Sequence, residues 1–357
     1  MRWVLFLFLF TSAFAPFIPA LAEDAAISLP GSAIVFPKFI KGSVVVDGGT
    51  SPATEIPIHV RCPLELNDTC SADEQVRLRF HWICPGSQSL QSSFICQGTG
   101  FEATVRMNGT ILITPDNLTI PGGNTVAARP APCPRGYLIA YVINEVGHPI
   151  KFDALDGIET LRESGAAESL VLGIAIPAAP GSDQRPSDQR SPLDLGPGNS
   201  LVFDGVAGHY AKLTSRVRQN FPLTLSYASP AGSVTASIIM LTLDVRSNRP
   251  NLPTFVDFEN FDQGGRLLGI STQFLCWTEQ RLNTIGSSLT FEQTDSRWEL
   301  AFSGQAVKFP LFGISDKPGP VTLMGLMQVV EGPPTARRTL IFGLSPVFAP
   351  TPTSFRP

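Results

Sequence analysis

The sequence predicts an all-β protein made of two tandem antiparallel β-sandwich domains, Ig-like in the loose architectural sense, and three observations predict it. Glycine and proline are both abundant, at 31 and 32 of 357 residues, with no collagen-like period, so the chain turns often. Short apolar runs with period-2 alternation recur between those turns. The later part of the chain also repeats the order of the earlier part at an offset of roughly 170–180 residues, the pattern of an internal duplication.

The first segment is an export signal. Arg2 precedes an apolar stretch from Val4 to Phe17, and Ala20-Leu-Ala22 offers the small side chains a signal peptidase accepts. Residues 1–22 are therefore expected to be a cleaved signal peptide. Pro16 and Pro19 interrupt the run before the ~20 apolar residues a membrane span requires, and later apolar stretches are shorter still. The expected location is secreted, periplasmic or cell-surface associated, with no transmembrane segment after cleavage. Downstream of Ala22 remain 25 basic and 30 acidic side chains. With no basic stripe to neutralise phosphates, nucleic acid is not an expected partner.

Residues 23–175 form the first expected sandwich. Ala33–Phe36 and Gly42–Val46 read as strands flanking a Pro37-Lys38 turn, and Glu55–Val60 alternates. Val76–Ile83 alternates strictly, placing Val76, Leu78, Phe80 and Trp82 on one face. Asn108-Gly109 joins Phe101–Met107 to Thr110–Thr114 as a hairpin, with Asn108 supplying positive φ. Tyr137–Asn144 is continuously apolar and suits a strand buried on both faces. Ile150–Arg162 is mixed. Glu159, Glu163 and Glu168 read as a solvated acidic face.

Residues 176–199 are a polar linker or long loop in which Ser-Asp-Gln-Arg occurs twice, and nothing in it is expected to join a core. Residues 200–345 are the second sandwich. Ser200–Phe203 echoes Ser32–Phe36, Phe255–Phe261 echoes Val76–Trp82, Thr272–Cys276 echoes Ser92–Cys96, and Val307–Ile314 echoes Tyr137–Ile143. Residues 346–357 form a Pro-rich tail.

Six cysteines fit an oxidising compartment as structural disulfides: Cys62, Cys70, Cys84, Cys96, Cys133 and Cys276. Local spacing favours Cys62–Cys70 and Cys84–Cys96, leaving Cys133 to meet Cys276 across the domains or stay free. No metal-ligand spacing is present, so neither metal nor cofactor is expected from the cysteines or from the scattered His59, His81, His148 and His209. His209 follows an Asp204–Gly208 turn, and His81 is expected to point to solvent or to a domain seam.

No nucleophile elbow, phosphate loop or zincin motif occurs, so the chain is not expected to be an enzyme. The expected function is that of an exported, non-catalytic structural or surface-interaction protein with protein or glycan partners. The alternative is a carbohydrate- or small-ligand-binding protein. Its site would be the polar loop carrying Asp244, Arg246, Asn248, Arg249, Asn251 and Asp257, with oxygen ligands suited to Ca²⁺. An enzyme assembled only in three dimensions is the third reading. Asn67, Asn108 and Asn117 are formal glycosylation sequons.

Overall fold

A computed structural model describes residues 30–46, 48–63, 70–71, 73–86, 98–116, 129–163, 168–182, 192–196, 199–212, 216–223, 235–243, 254–261, 267–285, 298–308, 319–320, 323–331 and 338–344. Beyond residue 212, side chains are described at 237–243, 254, 256, 271–281, 284 and 285. The signal segment, the 346–357 tail, Asn67 and Asn117 lie outside the described residues.

The described chain is all-β apart from one helical turn, α1 (Leu282–Ile285). Its earlier strands are β1 (Ala33–Ile40), β2 (Ser43–Val46), β3 (Gly49–Pro52), β4 (Thr54–Val60), β5 (Gln75–Ile83), β6 (Gly98–Arg106), β7 (Thr110–Ile113), β8 (Arg135–Ile143), β9 (Leu155–Leu161), β10 (Ser169–Leu172) and β11 (Ile174–Ile176). The later ones are β12 (Arg216–Leu223), β13 (Thr235–Thr242), β14 (Thr254–Phe261), β15 (Leu267–Phe274), β16 (Trp277–Arg281), β17 (Trp298–Lys308), β18 (Gly319–Pro320), β19 (Leu323–Glu331) and β20 (Arg338–Leu344).

Pairing is antiparallel throughout. The earlier strands build a sheet ordered β11-β1-β8-β5-β6 and a second ordered β10-β9-β4-β7, with β2-β3 as a separate hairpin. The later strands build β12-β17-β14-β15, with β18 beside β17, and β16-β13-β19-β20.

Alternation decides what the first pair of sheets encloses. Val76, Leu78, Phe80 and Trp82 of β5 all point inward, against Ile56 and Ile58 of β4. Both faces of β8 are buried, as its unbroken apolar run demands. Leu138, Ala140 and Val142 face this core, while Tyr137, Ile139, Tyr141 and Ile143 face a second one.

That second core lies on the outer side of the five-stranded sheet. It gathers Ala33, Val35 and the outward residues of β8 with Leu193, Leu201, Phe203 and Tyr210, and then with Ile239, Leu241 and Trp277 of the later half. The expectation that nothing in 177–200 joins a core is therefore corrected: Ala178, Ala179 and Leu193 are buried. Ser200–Phe203 is also not a strand in this fold but part of the cover over β1 and β8.

Two other local readings change for physical reasons. Pro37-Lys38 is no turn. The pairing shifts by one between Phe36↔Leu138 and Phe39↔Gly136, so β1 runs through a bulge, where a proline lacking its N–H is tolerated. The bulge keeps Phe36 and Phe39 in the inner core while Lys38 joins the seam with the later half. Gly136 is needed opposite it, since a Cβ there would lie 2.0 Å from the Ile83 carbonyl oxygen. Asn108 has φ 57° as expected, but Asn108-Gly109 is a corner, not a paired hairpin. It carries the chain from β6 in one sheet to β7 in the other.

The disulfides also differ from expectation. Cys62–Cys70 forms as its short spacing suggests. Cys84, however, bonds Cys133 and not Cys96, because β5 and β8 are neighbours in the sheet and these cysteines sit just beyond their adjoining ends. Cys133–Cys276 is thereby excluded. Cys276 is disulfide-bonded, and Cys96 lies outside the described residues. Non-reducing peptide mapping is expected to recover Cys84 linked to Cys133. Replacing both Cys84 and Cys133 by serine is expected to cost about 4 kcal/mol of stability, from a closed loop with a separation of 49 residues. A Cys84–Cys96 peptide would overturn this connectivity.

Candidate functional site

Of the loop residues singled out as a ligand site, Asp244, Arg246, Asn248, Arg249 and Asn251 lie outside the described residues. Asp257 lies on β14, where its backbone pairs with Ser271 and Gln305.

The histidines take separate positions. His59 Nδ1 is 2.6 Å from Thr110 Oγ1 on an outer sheet face. His209 Nδ1 is 2.8 Å from Asp204 Oδ1, in a turn where Asp204 Oδ1 also accepts the Val206 N–H. These contacts hold the Asp204 carboxyl below its usual value against the opposing effect of its partial burial. Among the described residues no three His, Cys, Asp or Glu side chains are grouped to hold a metal ion.

Two charged clusters form instead. On the outer face of β5 and β6, Arg77 Nη2 and Arg79 Nη2 both reach the Glu102 carboxylate, at 2.8 and 2.5 Å. Beside them His81 stacks on Tyr141, with Nε2 3.1 Å from the phenol oxygen. Burial, and secondarily the Arg79 charge, lower the His81 pKa to about 4, so its ring is neutral at physiological pH. One carboxylate bridging two guanidiniums and a neutral ring make a packed polar surface.

The second cluster lies in the seam. Lys38 is fully buried, its Nζ 2.7 Å from Glu163 Oε1 and 2.7 Å from Glu279 Oε1. Arg135 Nη1 is 2.6 Å from the other oxygen of Glu279. Nearby contacts reinforce the joint. Trp277 Nε1 donates to the Pro37 carbonyl at 2.8 Å, and the Tyr137 hydroxyl to the Thr242 carbonyl at 2.9 Å. Gly86 also belongs here, since a Cβ on it would lie 2.6 Å from Leu275 Cβ. The acidic residues expected on a solvated face thus part company. Glu168 is exposed, Glu163 binds Lys38, and Glu159 is fully buried with neither carboxyl oxygen hydrogen-bonded. Burial raises the Glu159 pKa well above its usual value, only partly opposed by the Lys38 charge.

The inward position of Glu159 also bears on the surface outside β9. Leu155, Gly157, Glu159 and Leu161 share the inner face of β9, which forces Ile158 outward. Leu172 of β10 pairs with Ile158, and Pro57 of β4 pairs with Leu112 of β7. The pairings Glu55↔Thr160 and Ile58↔Gly157 set Pro57 opposite Ile158. An apolar file, Leu172–Ile158–Pro57–Leu112, therefore crosses all four strands on the outer face. Leu172 is 60 % exposed, Ile158 40 % and Leu170 beside them 66 %. Singly exposed apolar residues are ordinary, whereas these lie side by side and are framed by charged residues.

The file is framed by charge on both sides, towards either end of the strands. At one end Arg162 binds Glu55 at 3.0 Å and Glu168 at 2.8 Å. At the other, Arg61 pairs with Asp156. Sequence reading missed this surface. Its signal is parity: Leu155 and Leu161 oppose Ile158 within one strand, and Leu170 and Leu172 oppose Val171 in the next.

Neither the protein-family models nor the curated proteins compared with the chain give a match. No helix among the described residues is long and apolar enough to cross a membrane.

Proposed function

We propose that this is an exported, non-catalytic protein that works by surface contact and is built from two copies of one Ig-like β-sandwich. The apolar file on the outer face of β10-β9-β4-β7 carries the functional part of this reading. Burying such a face is favourable at about 25 cal/mol per Å² of apolar surface, and leaving it in water has no compensating internal partner. Charged groups around it are paired with each other, as in the polar rim of a contact surface. The two disulfides fit the oxidising compartment to which the N-terminal signal would direct the chain.

Strand order supports the duplication. Read in chain order, β1, β4, β5, β6, β7, β8, β9 and β10 occupy the sheet positions taken later by β12, β13, β14, β15, β16, β17, β19 and β20. Asn108 in the β6–β7 corner and Cys276 in the β15–β16 corner have matching φ angles of 57° and 58°. In this alignment Cys276 corresponds to Asn108, not to Cys96. The calcium-assisted ligand reading of Asp244–Asp257 rests on residue types alone and is the weaker proposal.

A photo-crosslinking amino acid placed at position 172 in the exporting cell is expected to give light-dependent covalent adducts. The same group at Val146, which is exposed but lies off this face, is expected to give none. Absence of adducts from position 172 would overturn the contact-surface reading.

A further inference from the structure

We infer that the outer face of the β10-β9-β4-β7 sheet binds a second copy of this chain, forming a twofold dimer. The inference rests on the contact-surface reading above and names its partner. Its starting point is the arrangement of charge around the apolar file. The file runs across the strands, so the two charged ends lie on its opposite sides along the strand direction.

One end is acid-rich, with Glu55 and Glu168 sharing the single Arg162. The other presents Arg61, whose side chain is 63 % exposed, beside Asp156. A twofold axis laid along the file, between two sheets packed face to face, superposes file on file and exchanges the ends. Each copy's Arg61 end then faces the other's Glu55–Glu168 end. The face is therefore complementary to itself in both apolar position and charge. An isologous interface requires this property, whereas a contact with an unrelated protein does not. Packing with strands roughly aligned is the ordinary arrangement for two sheets meeting face to face.

The alternative axis, parallel to the strands, would set acid-rich end against acid-rich end. Charge selects the first arrangement. The parity inversion in β9 supports the same reading. A strand that places Glu159 inside and Ile158 outside departs from the pattern that would stabilise an isolated monomer. Such departures are expected where a surface serves binding.

Sedimentation equilibrium on the exported full-length chain tests the proposal. The wild type is expected to be a dimer at tens of micromolar. Leu172→Glu acts twice in a twofold contact and is expected to weaken association by about 100-fold or more. Val146→Glu, off the face, should leave the dimer intact. Arg61→Glu is expected to weaken it, and Arg61→Glu combined with Glu55→Arg to restore it, with circular dichroism confirming that each variant is folded.

A chain that stays monomeric, or a dimer that Leu172→Glu does not affect, would overturn the inference. If the chain is monomeric but position 172 still crosslinks to a different protein, the dimer falls while the contact-surface reading stands. If position 172 gives no adduct and the chain is monomeric, both fall.

Discussion

Replacing Lys38 by methionine is expected to lower the unfolding free energy by about 3–5 kcal/mol, measured as a drop in the urea midpoint at unchanged slope. The side chain is fully buried, and its ammonium lies between Glu163, just after β9, and Glu279 on β16. Methionine preserves much of the volume, so packing loss is small. What is lost is the cation that two poorly solvated carboxylates face. Removing one member of a buried ionic cluster leaves its partners charged without compensation, which costs more than the cluster contributes when whole. Glu279 retains Arg135 at 2.6 Å, which limits the loss on that side. A change below about 1 kcal/mol for Lys38→Met would show that water compensates the carboxylates and that the cluster contributes little.

Lys38 also shows where legibility in the sequence ends. Strands such as β5 and β8 could be read directly, because strict alternation and an unbroken apolar run each allow one arrangement. Pro37-Lys38 could not. Proline followed by a charged residue resembles a turn, and only the register of β1 against β8 shows that one extra residue is absorbed in a bulge. The Cys84–Cys133 bond was hidden for a related reason: it depends on β5 lying beside β8, a neighbour relation that local spacing does not encode. Asn108-Gly109 gave the correct backbone conformation and the wrong connection, since a positive φ suits a corner as well as a hairpin.

The apolar file across β10-β9-β4-β7 was less visible still. In β9 two leucines of one parity compete with an isoleucine of the other, and the losing side carries Glu159 inward. Acidity suggests solvent, whereas three-dimensional packing decides otherwise. The ligand loop at Asp244–Asn251 was legible only as composition, and Asp257 turns out to lie within a paired strand.

Glu159→Gln is expected to raise stability by about 1–3 kcal/mol at pH 8 and to remove a downward slope in the pH profile. In the folded protein burial lifts the Glu159 carboxyl well above its unfolded value near 4.3, so folding takes up a proton wherever the unfolded carboxyl is ionised. Stability from this group is then greatest at low pH. It falls as pH rises past the unfolded value, until the folded group itself ionises. His81 acts in the opposite sense. Its pKa drops from 6.5 to about 4 on folding, so its contribution is complete above pH 6.5. Between 6.5 and 4 roughly 3 kcal/mol is lost as the unfolded ring gains a proton that the folded ring refuses.

The two slopes offset each other across that interval, and the Glu159 slope continues above it. Wild-type stability is thus expected to decline as pH rises above 6.5 until the folded carboxyl ionises, a slope that Glu159→Gln removes. His81→Gln should expose the Glu159 slope at lower pH, beginning near the unfolded carboxyl value. Chemical denaturation of the three proteins from pH 4.5 to 9 separates these effects. Equal slopes for wild type and Glu159→Gln would show that the carboxyl is not buried in solution and that β9 carries it outward. Ile158 would then turn inward, and the apolar file across the sheet would be broken at its centre.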